Sequence, residues 1–94
     1  MMYVITKHQI KDADAFFAVA RMAAEGAPPG VYGRQFCPSR DGAEAVCLWE
    51  ADSLEAVREY LDSLIGEASD NAYFEVDTRR AIGMPDRIEA GAQA

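Results

Sequence analysis

The middle of the chain carries the pattern that constrains it most. Two strand-like runs, Val31 to Pro38 and Glu44 to Ala51, are separated by Ser39-Arg40-Asp41-Gly42-Ala43. Asp-Gly between apolar runs is a strong β-hairpin signal, and glycine accepts the left-handed conformation that such a turn requires. A three-residue loop from Arg40 to Gly42 predicts Phe36 opposite Val46, Cys37 opposite Ala45 and Cys47 opposite Gln35. Cys37 and Cys47 then do not face each other, and no disulfide is expected between them.

Each strand of this hairpin is flanked by a helix and a further strand. Residues 1 to 8 are rich in β-branched and aromatic side chains and read as a strand. Asp12 or Asp14 offers an N-cap, and Phe16, Val19, Ala20 and Ala23 follow at helical spacing. Gly26 can close that helix, and Pro28-Pro29 prevents it from resuming. On the other side, Asp52-Ser53-Leu54-Glu55 opens a second helix, with Asp52 and Glu55 at capping-box spacing. Its predicted buried stripe is Leu54, Val57, Leu61 and Leu64, with Arg58 and Asp62 paired on the wet face. Ala72 to Asp77 reads as a fourth strand. The order βαββαβ predicts a ferredoxin-like α+β domain, a four-stranded antiparallel sheet with both helices on one face and strands in the order 4-1-3-2.

A sheet wet on one face should alternate apolar and polar residues. The third strand instead has Val46 and Leu48 on one face and Ala45, Cys47, Trp49 and Ala51 on the other. The first sets Met2, Val4 and Thr6 against Tyr3 and Ile5. Helices cover one face only, and exposed apolar area costs about 25 cal/mol per Å². A homodimer through the helix-free face is therefore expected.

The 94 residues suffice for one domain, expected over 1–85, with a small, polar, aperiodic stretch at 86–94 read as a flexible tail. The net charge of −7 comes from nine basic and sixteen acidic residues, and the basic ones are scattered. That argues against nucleic acid and against an anionic membrane surface as partners. No apolar run approaches the roughly 20 residues of a membrane span. The N-terminal residues do not read as a signal peptide and two cysteines are too few for a stapled scaffold, so a cytoplasmic protein with reduced thiols is expected.

Val46-Cys47-Leu48-Trp49-Glu50-Ala51, followed by Glu55-Ala56-Val57-Arg58, resembles a family of small ferredoxin-like proteins that includes a nickel-binding member. More distantly, Trp49 to Val57 is similar to the dimeric α+β barrel superfamily of antibiotic-biosynthesis monooxygenases and stress-responsive proteins. The resemblance implies a ferredoxin-like fold, dimerisation through the sheet, and a pocket between sheet and helices or at the dimer seam. Metal-binding relatives tend to use histidines, of which this chain has His8 alone. The monooxygenase relatives commonly carry a histidine in the second helix, where the nearest residues here are Arg58 and Tyr60.

His8 is the one side chain with an unperturbed pKa near neutrality. It closes the first strand, and with the third strand taken as parallel to it, that end lies near Glu50 and near Tyr73 at the start of the fourth. His8, Glu50 and Glu75 are thus the candidate ligands for a divalent metal such as nickel. Trp49, Tyr73 and Arg34 are the candidate ligand-binding residues, and no catalytic residue is assigned. Cys37 and Cys47 lack zinc-site spacing and read as small hydrophobes. The glycines from Gly26 to Gly33 lack a dinucleotide fingerprint. The leading reading is a homodimer that binds a small ligand or a divalent metal. The second is a cofactor-independent, monooxygenase-like enzyme acting on a small hydrophobic substrate near Trp49, with His8 and Tyr73 moving protons. The third is a structural or interaction module. A pocket of roughly 300 Å³ or more separates the first two from the third.

Overall fold

The computed structural model describes residues 1–86. Apart from Asp86, the expected tail lies outside the described residues. The elements run β1 (Met2–Ile10), α1 (Ala13–Glu25), β2 (Val31–Pro38), β3 (Glu44–Ala51), α2 (Leu54–Ile65) and β4 (Ser69–Glu75). The sheet order is β2-β3-β1-β4, and every neighbouring pair is antiparallel. Phe16 and Ala23 of α1 and Val57, Leu61 and Ile65 of α2 pack in one core with Val4, Ala45, Cys47, Trp49 and Ala51. Both helices therefore cover one face, as a ferredoxin-like α+β fold requires.

Local chemistry sets the boundaries. Asp12 caps α1 by accepting from the Ala15 N–H at 3.1 Å, and Gly26 closes it with a bond to the Met22 carbonyl. Ser53, and not Asp52, caps α2, accepting from the Ala56 N–H. The buried row of α2 is Val57, Leu61 and Ile65 at successive i+4 steps, so Ile65 takes the inward place expected of Leu64, which is 38% exposed. Arg58 pairs with Glu55 at 2.6 Å instead of Asp62, because Asp62 accepts the Tyr73 hydroxyl.

The hairpin differs from expectation by one residue. Ser39 N–H bonds the Glu44 carbonyl, and its hydroxyl accepts from Glu44 N–H, which closes a four-residue loop. Gly42 sits at φ +76°, the left-handed region it was expected to fill. Phe36 faces Cys47 and Cys37 faces Val46, and a bulge at Arg34 restores the expected register beyond it, with Gly33 opposite Trp49. Both cysteines are free.

β1 runs antiparallel to β3, not parallel as the placement of His8 near Glu50 assumed. His8 pairs with Ala45 and Asn71, Glu50 with Tyr3, and Tyr73 with Thr6. β4 starts at Ser69, three residues earlier than expected. Ser69 and Asn71 look like turn residues in sequence, but their side chains are occupied in hydrogen bonds inside the fold.

The helix-free face is partly covered by the chain itself. Tyr3, Leu48 and Glu50 lie on it, yet are 2%, 3% and 0% exposed. The Tyr3 hydroxyl donates to the Pro85 carbonyl at 2.6 Å, so the segment after β4 returns across this face. Val46 and Phe74 remain 41% and 49% exposed on it. Among the described residues, no helix is long and apolar enough to cross a membrane.

Candidate functional site

After Phe16, the side chains that α1 turns toward the cavity are small. Ala20, Ala23 and Ala24 stand over Gly33 of β2 and Cys47 of β3, and these short residues leave a gap that larger ones would fill. The result is a cavity of about 180 Å³, walled by Phe16, Phe36, Trp49 and Leu61 among others. It is smaller than the 300 Å³ expected of a general ligand pocket. It is comparable with an apolar engineered cavity of about 150 Å³ that binds benzene. A single ring fits its scale.

The position of Gly33 is dictated by contact. A Cβ there would come 2.7 Å from the Ala24 Cβ and 3.4 Å from Trp49 Cζ3, so glycine lets the helix, strand and indole meet. Trp49 also meets Tyr60 edge-on, with centroids 6.1 Å apart, and the Tyr60 hydroxyl is committed to the Ala23 carbonyl. The indole N–H of Trp49 is buried without a hydrogen-bond partner. An orphaned buried donor costs roughly 1–3 kcal/mol. Phe16, Phe17 and Phe36 cluster with centroids 5.3 to 6.3 Å apart. Phe17 and Phe36 are 37% and 43% exposed, which carries apolar surface from the cavity wall to solvent.

Beside the cavity runs a buried polar line. His8 is 1% exposed, with Thr6 Oγ1 2.9 Å from Nε2 and Asn71 Oδ1 2.7 Å from Nδ1. The Ser69 hydroxyl donates to the same Asn71 oxygen, and the Phe16 ring lies 5.4 Å from the imidazole. Burial holds the imidazole below its ordinary pKa, partly offset by the bond to Asn71. Cys47 is the cross-strand partner of Thr6, and burial pushes its thiol up to about 11.

The sequence-predicted residues separate into three places. Trp49 is at the cavity. Arg34 borders it, but its guanidinium pairs at 2.7 Å with Glu50, whose side chain is on the helix-free face. Tyr73 is on the far side of α2, its hydroxyl 2.5 Å from Asp62 and its ring under Arg58. Burial and the Asp62 carboxylate raise its pKa, which keeps it protonated. His8, Glu50 and Glu75 do not converge: Glu75 lies opposite Val4 and is exposed, and both His8 nitrogens are occupied. Among the described residues no three of His, Cys, Asp and Glu come together as a metal site. Sequence reasoning missed Thr6, Asn71 and Ser69. The strand alternation of Val4, Thr6 and His8 was the available signal, since it puts all three on one face.

No protein-family model matches the chain, and no curated protein matches it. Among solved structures, one described as a putative antibiotic biosynthesis monooxygenase from Nitrosomonas europaea superposes with a TM-score of 0.54 at 14% identity. The match covers 79% of this chain and 96% of that chain. At this identity the likeness shows the fold. The nickel-binding family finds no counterpart in these comparisons.

Proposed function

We propose that this chain takes a small hydrophobic, single-ring molecule into the cavity beneath Trp49 and acts on it as a cofactor-independent, monooxygenase-like enzyme. The observation that carries the reading is the cavity itself, about 180 Å³, with an unpartnered buried indole N–H on a ring that lines its wall. The description of the fold neighbour from Nitrosomonas europaea favours oxygenation over metal binding. Run without a bound cofactor, such a reaction must draw its electrons from the substrate. A phenol oxidised by dioxygen to a quinone, with release of water, balances on those terms. Electron-rich rings are therefore the substrate class.

Trp49 is the one tryptophan in the chain and reports directly on the cavity. Titration with a series of monocyclic phenols and hydroquinones should change its fluorescence saturably, and an oxygen electrode should record uptake with the turned-over member. Binding without uptake across the series would reduce the reading to a small-ligand-binding protein. No binding would refute it.

The same reading includes a homodimer through the helix-free face, supported by exposed Val46 and Phe74 on that face. Val46→Lys or Phe74→Lys should weaken association. Cys47 and Trp49 are unsuitable for this test because both lie under the helices. A monodisperse monomer at micromolar concentration by analytical ultracentrifugation would remove the dimer.

A further inference from the structure

The cavity opens along one seam. Of the residues that wall it, the exposed ones are Ala24 of α1 and Gly33, Gln35 and Phe36 of β2, with Ala20 and Arg34 half-buried. Its mouth therefore lies between α1 and the edge strand of the sheet. Phe17, Ala20 and Ala24 stand at i, i+3 and i+7, one stripe of α1. The two ends of that stripe are closed by different means. At one end the Ala24 methyl sits on Gly33, so tightly that a Cβ on Gly33 would come within 2.7 Å of it, and that end opens only if the helix moves. At the other end the Phe17 and Phe36 rings meet at 61° with centroids 6.2 Å apart, and that contact opens by rotation of one side chain.

Phe36 is the ring free to rotate. The other large wall residues, Phe16, Trp49, Leu61 and Ile65, are each at most 4% exposed and are fixed by packing. Phe36 is 43% exposed, its strand pairs with a neighbour on one side only, and the bulge at Arg34 interrupts that pairing close by. Phe17 is held more firmly. Phe16 meets it edge-on at 5.3 Å, and on the hairpin turn a Cβ at Gly42 would lie 3.8 Å from its Cε2. Phe17 does not itself wall the cavity.

We propose that Phe36 is the gate of the cavity and Phe17 the post it closes against, so that a flat ring enters and leaves between α1 and β2 when Phe36 swings outward. This deepens the cavity reading above and rests on it. Phe16, Phe36 and Trp49 all wall the space, so an occupant beneath the closed gate meets aromatic rings. Such contacts favour a flat aromatic ligand over a rounded aliphatic one of equal volume. An aromatic pair like Phe17 and Phe36 holds the gate shut by a factor of about two to ten. Removing the post raises the open fraction, and with it the rate of passage, by that factor.

The probe is 4-iodophenol, a single ring whose heavy atom quenches tryptophan, mixed with the intact protein while Trp49 fluorescence is followed by stopped flow. Phe17→Ala should raise the association and dissociation rates together, by about two- to tenfold, and leave Kd unchanged. A wall residue that merely touched the ligand would alter dissociation and Kd instead. Phe36→Ala should raise the association rate at least as much. Both positions are substantially exposed, so the variants should fold, which their circular dichroism melts check. Association at the wild-type rate in both variants, or a change confined to dissociation in Phe17→Ala, overturns the gate and leaves the cavity standing. No saturable quenching in wild type overturns both.

Discussion

Gly33→Ala tests the packing that creates the cavity. The added Cβ falls 2.7 Å from the Ala24 Cβ and 3.3 Å from its Cα. Carbon atoms rest at about 3.5–4.0 Å, so α1 must move off β2 by roughly 1 Å. Neither neighbour is a flexible side-chain end, and overpacking of this kind costs about 1–3 kcal/mol. Replacing glycine within a strand returns about 0.5–1 kcal/mol of backbone entropy, which offsets only part of that cost. The net loss, up to about 2.5 kcal/mol, should lower the melting temperature by about 4–8 °C per kcal/mol in a domain of this size. Ala24→Gly removes the obstructing Cβ, at a cost of about 1 kcal/mol for glycine in a helix. The double variant should therefore be no less stable than Ala24→Gly alone. Thermal and urea melts of the four proteins close the cycle, with an expected coupling of about 1–3 kcal/mol. Additive losses would show that α1 does not rest on Gly33 as described.

Ala20→Phe places a ring in the cavity from its half-buried wall, so ligand quenching of Trp49 should be lost while the circular dichroism melt is retained. His8 contributes a pH dependence of known sign. Its folded pKa lies below the unfolded value of about 6.5, so its contribution is complete above that pH and is lost as pH falls toward the folded value. Urea midpoints measured from pH 7 down to 5 should fall more for wild type than for His8→Gln. Tyr3→Phe removes the hydroxyl that binds the Pro85 carbonyl and should cost about 1 kcal/mol in chemical denaturation. Nickel titrated by calorimetry into tag-free protein at neutral pH should show no heat that depends on His8, because both ring nitrogens are already engaged.

The fold was legible because its signals are local and agree with one another. Asp41-Gly42 fixes the hairpin, Asp12 and Gly26 bound α1, and the absence of apolar–polar alternation along β3 marks two covered faces. What was missed depends on contacts distant in sequence. The bulge at Arg34 has no signature of its own, and it decides which residue of β2 faces Cys47. Ile65 displaces Leu64 inward because α2 packs along its i+4 row. Ser69 and Asn71 enter a strand because His8, more than sixty residues earlier, bonds to Asn71. At the site, Trp49 was legible as the large aromatic of a doubly covered strand. Arg34 was not, since its role follows from the bulge and from Glu50.

The two kinds of buried polar group in this core lead to different expectations. A chain of 94 residues builds one thin core, in which polar atoms displace apolar area it can ill spare. His8, Thr6 and Ser69 are nonetheless almost fully buried, and they are satisfied by one another and by Asn71. A satisfied network of this kind is close to neutral for stability, and apolar replacements of matching shape could do as well. Stability therefore does not explain its presence beside Cys47. The Trp49 N–H, a few residues along the same face, is the opposite case: it is buried and unsatisfied. A network with its bonds complete fixes its members in one arrangement, whereas a buried donor with none carries its full desolvation cost. Both Cys47 and Trp49 wall the same small apolar space, so a ring taken into it would touch both side chains.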